Sequence, residues 1–471
     1  ASKHQGDELT LERPNIYEFE KALITIGVEE SDAKRYALSN GRSWTAFRRQ
    51  RATNPAIRRP SWLDTPQATC LSLLCLLGAW YSNNDEDRKV VERLADRPYE
   101  EIERDLRHLL QLDDSPILNI GDVWKAKSPL ELLNQCGPTI TSSQLSRFFT
   151  IAQEMLSAPD PQLELPDKDR WMAQIHGKVH PYSGLLFESV CDSLMKLSVR
   201  GSEQPGLSAL NIEERIASLV HTLLHNADNQ RWLSLASYLP TLAEAAPDEF
   251  LRAINSSLRM QNQPVISLIT ETRDSGINGR CWHAGLLWAL ETLAWAPRRL
   301  AAVALILVEL CHVPIQGNWG NKPSSSLFGL FRTWMPQTAA SVSERIKVLK
   351  LLIEKDSEVA FSIFLKLSES APQTASPAER PKWREDDAGA GHGATGAEMY
   401  EMFDFARESL VPLCHGNPPR IVSLLQHSIF EDKDDLPKVM SLLEPFTHEE
   451  AEGEDREALY NELRQIIYRH Y

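Results

Sequence analysis

Cysteine is sparse and unpatterned in this chain. Seven cysteines are scattered through 471 residues, and none belongs to a CxxC pair. An odd number without framework spacing argues against a disulfide scaffold and for reduced thiols in a cytoplasmic protein. Long apolar runs are missing too. The longest, residues 300–310, contains Glu309 and falls far short of the ~20 residues a membrane span needs. The opening stretch, ASKHQGDELTLERP, is polar and charged, so no signal peptide is expected in it. Positive charge is in deficit, with 50 Lys and Arg against 65 Asp and Glu. A net charge of −15 argues against general binding to nucleic acid or to anionic membranes.

Phosphate-cradling motifs are absent as well. No GxxxxGK[ST] occurs, and GNWGNK at 317–322 lacks both its loop length and its magnesium-binding hydroxyl. Gly391, Gly393 and Gly396 spell GxGxxG, but no strand precedes them and no βαβ unit surrounds them. The match is read as coincidence. No catalytic motif states a reaction, and the chain is not expected to be an enzyme by itself or to hold a cofactor.

What is present is helical pattern. Apolar residues make up 42% and charged ones 24%, ordinary values for a folded protein. The length exceeds one compact core and predicts several domains or one extended array. Residues 16–27 and 31–39 read as amphipathic helices, with Ser31 as an N-cap. Six arginines and no acid then lie between Arg42 and Arg59. This run is either a solvated basic face or a site for an anion or an acidic partner domain, because the planar guanidinium fork binds carboxylate or phosphate bidentately.

Residues 67–79 read as an apolar helix and 85–94 as a second. A third, 99–111, places Ile102, Leu106, Leu109 and Leu110 on one face. ILNI and VWKAK around Gly121-Asp122 predict a β-hairpin. Three helices followed by a hairpin is the order of a winged helix. Its third helix carries Glu100, Glu101, Glu103 and Asp105, so phosphate repulsion makes it a spacer between domains rather than a DNA reader.

From about 137 onward no strand is expected. Residues 138–157 read as one helix, 171–200 as a pair and 207–226 as another segment. Helix starts recur irregularly at Pro247, Pro297, Asp356 and Pro418, since proline is tolerated in a helix's first turn. Irregular pairs of this kind predict an all-α, irregular α-solenoid. The most apolar stretch, 281–338, holds five of the twelve tryptophans and reads as the central helical pair. A polar loop at 316–326 interrupts it, with Ser324–Ser326 read as capping the next helix. Asn318, Trp319, Asn321 and Lys322 there form either a gap-filling plug or a partner-binding loop with an aromatic anchor. Residues 371–397, rich in Pro, Gly and Ala, read as a mobile insertion anchored by Trp383 and Arg384, which join the candidate partner-binding residues. Residues 431–456 hold ten acids against three bases and read as a solvated helix pair.

His221 and His225 stand at i, i+4, a spacing that can place two imidazoles on one metal, but no third ligand is evident. Cys281/His283, two positions apart, and the adjacent pairs Cys311/His312 and Cys414/His415 show no triad arrangement, and buried apolar cysteines are the default reading.

The order of an Arg-rich segment with GRSWTAFRR, a winged-helix-like segment and a long helical array resembles the region C-terminal to the nucleotide-binding core of STAND NTPases. These signal-transducing ATPases include the prokaryotic antiviral (Avs-type) and NLR-like proteins. GLLWALETLAW, GNWGNKPSSSLFGLFRTWMPQT and RPKWR look like segments of large bacterial P-loop proteins. The resemblance implies that 1–60 is a lid-like segment, 61–136 winged-helix-like, 137–370 the solenoid, 371–397 an insertion and 398–471 the closing helices of the array. It implies a sensor that recognises a protein partner, possible oligomerisation of the full-length protein, and Arg42, Arg48 or Arg49 near nucleotide. ATP and magnesium would belong to a parent NTPase domain, because Walker A and B are missing here. The absent initial methionine and the helix-like final run fit a piece of such a parent. Two rival readings stand beside this one: a stand-alone α-solenoid scaffold, and a helical metal-dependent enzyme using His221 and His225.

Overall fold

The computed structural model describes residues 14–40, 42–272, 281–369, 378–387, 390, 393–427, 436–446 and 453–470. The fold is all-α apart from one small sheet. The chain forms two compact units, 1–289 with 381–388 and 290–380 with 389–471.

Unit 1 opens with helices Ile16–Thr25 and Glu30–Ser39. Asn15 caps the first, with Glu18 completing a reciprocal capping box. Ser31, expected as the second cap, lies inside its helix; the chain turns one residue pair earlier, with Ala33 N–H bonded to the Glu29 carbonyl. Ile16, Phe19, Leu23, Ala33, Ala37 and Phe47 form a small apolar core here.

The stretch expected as one helix over 67–79 divides. A 3-10 turn, Pro66–Cys70, runs into helix Leu71–Leu77, which Gly78 ends at a φ of 77°. Strand β1, Ala79–Tyr81, follows. Trp80 and Tyr81 favour a pleated strand once the glycine has broken the helix. Helices Asp85–Ala95 and Tyr99–Leu110 come next, then β2 (Ile117–Ile120) and β3 (Val123–Ala126). The expected hairpin turns at Gly121, whose φ of 59° suits a two-residue connection. The sheet is antiparallel in the order β1-β3-β2, with Trp80 opposite Trp124. On helix Tyr99–Leu110 the buried face is Tyr99, Ile102, Leu106 and Leu109; Leu110 is exposed, because the stripe continues through Tyr99 instead.

Beyond residue 126 no strand occurs among the described residues. The helix expected over 138–157 begins later, at Ser142, because Thr141 and Gln144 form a capping box; Pro138 sits in a 3-10 turn after helix Pro129–Cys136. The pair expected over 171–200 is a 3-10 turn, Asp167–Met172, and a single helix, Gly184–Arg200, because Pro181 intervenes. Helix Gly184–Arg200 packs against Leu71–Leu77 and Leu239–Ala245, and Ile212–Leu224 packs against Pro247–Arg259.

In unit 2, helix Pro297–Cys311 packs against Pro323–Phe331 and Val342–Lys355, and Ser357–Leu367 against Gly396–Cys414. Pro297 and Pro418 occupy first helical turns, as Pro247 does in unit 1, and Asp356 caps Ser357–Leu367 through its carboxylate. Ser324–Ser326, expected as caps, lie inside helix Pro323–Phe331, whose N-cap is Lys322. The Ser326 hydroxyl donates instead to Glu291 at 2.6 Å. Of the acidic stretch 431–456, helix Leu436–Leu443, the 3-10 turn Glu444–Phe446 and the start of Gly453–His470 are described, and the rest lies outside the described residues.

Candidate functional site

The arginines of the Arg-rich run have three different environments, all within unit 1. Arg49, on helix Trp44–Arg51, is only 4% exposed. Its Nε donates to Glu131, its Nη1 to the Ile57 carbonyl at 2.7 Å and its Nη2 to Asp114 at 2.7 Å. Burial alone would push this guanidinium down, but Asp114 and Glu131 outweigh it and hold the group above its ordinary value. Arg49 is therefore a structural brace between the Arg-rich helix and helix Pro129–Cys136. Arg42 is partly buried at a φ of 62°; burial lowers its pKa, opposed by Asp387, Glu244 and Glu385. Arg48 is exposed. The resemblance implied Arg42, Arg48 or Arg49 near nucleotide; in this structure Arg42 and Arg49 have carboxylates of this chain as neighbours.

Beside Arg49 lies a cavity of about 180 Å³, reached by Arg58 and walled by carboxamides of Gln50, Asn134 and Gln135. Arg58 belongs to the predicted run. Asn134 and Gln135 were not singled out; polar residues closing the apolar helix Pro129–Cys136 were the available signal.

Residues 381–387 form a strap docked within unit 1. Glu244, at the end of helix Leu239–Ala245, is 2% exposed. Its carboxylate accepts three consecutive backbone N–H groups, from Lys382 at 2.8 Å, Trp383 at 2.5 Å and Arg384 at 2.7 Å. Burial raises this carboxyl above the ordinary range, and the three amides oppose the rise. The Arg384 Nε donates to the Glu244 carbonyl at 2.6 Å, and its Nη2 reaches Ser198 Oγ at 3.2 Å and the Ala245 carbonyl at 3.3 Å. Arg200 donates to Glu385 at 2.7 Å. The anchoring expected of Trp383 and Arg384 is present, and both residues hold on to their own chain within unit 1. Sequence reasoning missed Glu244; the clue was a lone acid among small apolar residues in LAEAAP. Residues 370–377, 388–389 and 391–392 of the insertion, with Gly391, lie outside the described residues.

In unit 2, Asn318 is exposed, while Trp319, Asn321 and Lys322 are half-buried. The Lys322 carbonyl accepts from Ser325 and Ser326 N–H at 2.9 and 3.0 Å. The loop thus supplies the N-cap of the next helix as well as an exposed tip.

The histidine pair stacks, with His221 and His225 ring centroids 4.5 Å apart and His221 Nδ1 3.3 Å from Glu249. Both rings are exposed, and no group of three or more His, Cys, Asp or Glu placed for a metal occurs among the described residues. Cys281 Sγ lies 3.4 Å from His283 Nε2, but burial raises its thiol. Burial pushes Cys311 to about 11 and Cys414 to about 12. In all three, burial disfavours the thiolate. All seven cysteines are free thiols, and no helix among the described residues is long and apolar enough to cross a membrane.

No protein-family model matches the chain, and no curated protein matches it.

Proposed function

We propose that this chain is a non-catalytic recognition and regulatory region, an irregular α-solenoid that binds a protein partner within a larger cytoplasmic signalling NTPase of the STAND type. One observation carries this reading. Segment 71–126 runs helix, strand, helix, helix, strand, strand, with sheet order β1-β3-β2. That is the order of a winged helix, and it follows an Arg-rich helical segment and precedes a long series of helices, as the resemblance requires. Its third helix exposes Glu100 and Glu101 together with Arg104 and Arg107, a mixed surface rather than a basic one. Such a face suits packing between domains and not a phosphate backbone.

The helix starts at Pro247, Pro297 and Pro418, and at the Asp356 cap, support the repeat reading. ATP and magnesium would be held by the parent's nucleotide-binding domain, and possible antiviral defence is the setting the family suggests. Two measurements test the reading. The genomic sequence upstream of Ala1 is expected to encode a P-loop domain in frame, and an open reading frame with no such domain sinks the NTPase assignment and leaves a stand-alone scaffold. Duplex DNA is expected to run unretarded with micromolar protein at physiological salt, where nonspecific binders have a Kd of roughly 10⁻⁴–10⁻⁶ M; a tight, sequence-dependent shift would make the winged segment a DNA reader.

A further inference from the structure

The cavity beside Arg49 is lined by several hydrogen-bond donors that have no protein partner among the described residues. Gln50 Oε1 is taken by Asn40 Nδ2 at 2.8 Å, Asn134 Oδ1 by Gln204 Nε2 at 3.1 Å, and Glu131 Oε1 by Arg49 Nε. With an oxygen engaged by these partners, Gln50 and Asn134 still have their NH₂ groups to donate. Those NH₂ groups, the Gln135 carboxamide and the Arg58 guanidinium make no hydrogen bond to the protein among the described residues. Charge points the same way. The Arg49 charge is matched by Glu131 and Asp114, whereas Arg58 is exposed and has no carboxylate in contact among the described residues.

A guanidinium with no carboxylate in contact, set among amide donors, suits a ligand that brings acceptors and negative charge. Size narrows the class. About 180 Å³ is close to the ~150 Å³ of a cavity that holds one benzene, and below the roughly 300 Å³ at which small-molecule sites begin. A nucleotide is too large; a single carboxylate-bearing group is not.

We infer that this cavity binds a small carboxylate, paired to Arg58 and hydrogen-bonded by Gln135, Gln50 and Asn134. The group is either a free amino-acid-sized acid or the acidic side chain of a polypeptide. The inference does not depend on the NTPase reading, because it uses only the donor set, the charge and the volume.

Isothermal titration calorimetry on the whole chain tests it, with L-glutamate, N-acetyl-tetraglutamate and inorganic phosphate as separate probes at low salt, where charge pairing is least screened. At least one carboxylate probe is expected to bind, and Arg58→Ala is expected to weaken it about tenfold or more, the loss of one charge-assisted hydrogen-bonding partner. Gln135→Leu is expected to weaken it several-fold. Arg58 is exposed, so its substitution leaves the core intact, and an unchanged melting curve checks this. Binding of free glutamate with that loss identifies a small-molecule site. Binding of the tetraglutamate alone with that loss identifies a partner's side chain. The inference is overturned if no carboxylate binds, if phosphate alone binds, or if Arg58→Ala binds as the parent does.

Discussion

Glu244 shows what one buried carboxylate can organise. An ionised group out of water is costly unless its oxygens are filled, and here three successive amides fill them. Glutamine has the same shape but replaces one acceptor oxygen with an NH₂ that would face those N–H donors. Glu244→Gln is therefore expected to lower stability by about 3 kcal/mol, the scale of charged hydrogen bonds lost with donors left unpaired. The urea midpoint of unit 1's transition measures it. An unchanged midpoint would mean that the strap contributes nothing to the fold. Arg49 is a contrasting case: sequence marked it as one of six arginines without acids nearby in the chain, yet Asp114 and Glu131 reach it from far along the sequence. Its basic surroundings were legible; its neutralisation was not, because ion pairing across more than sixty positions leaves no local pattern.

At the scale of elements, helix termini carry the clearest tests. Gly285 stands in the first turn of helix Ala284–Ala294, where an added Cβ would meet the Ala236 carbonyl oxygen at 1.9 Å. The obstacle is backbone and not a flexible side-chain end, so Gly285→Ala must displace a helix. We expect a loss of about 3 kcal/mol, read as a lowered melting temperature, although alanine would otherwise favour the helix. In unit 2, hydrogen bonds from the Thr395 backbone and hydroxyl hold the Glu398 carboxyl below its ordinary range, and the Ser341 hydroxyl and amide do the same for Glu344. Carboxylates with depressed folded values bind fewer protons folded than unfolded. Their stabilisation is complete above the ordinary glutamate value of about 4.3 and is lost as pH falls through the lower folded values. Glu398→Gln keeps the capping geometry without the titration. It should lose less stability than the parent between about pH 5 and pH 3 in urea titrations followed by circular dichroism. An identical acid slope would exclude Glu398 as a contributor.

Sequence reasoning located most elements and misplaced several ends. The hairpin at Gly121 was legible because glycine supplies the positive φ the turn requires. Pro247, Pro297 and Pro418 were legible for the complementary reason, a fixed φ and no N–H to lose. Strand β1 was not, because LSLLCLLGAWY is apolar throughout and only pairing with β3 distinguishes Ala79–Tyr81 from a continuing helix. The serines at 31 and 324–326 misled for a shared reason. Each follows or precedes residues able to take the cap, and Lys322 serves as N-cap without any side-chain hydrogen bond.

For the whole molecule, the division into units does not follow chain order. Residues 381–388 belong with 1–289, although the chain on either side of them belongs to the other unit. This has a consequence for the order of synthesis. Glu244 and the amide of Lys382 are 138 positions apart. At roughly 5–20 residues per second, a ribosome needs on the order of ten seconds or more to supply the amides after the carboxylate. During that interval Glu244 belongs to a helix end that cannot yet be buried at low cost. Unit 1 is the first to be made, but it is completed only after much of unit 2's sequence has left the ribosome.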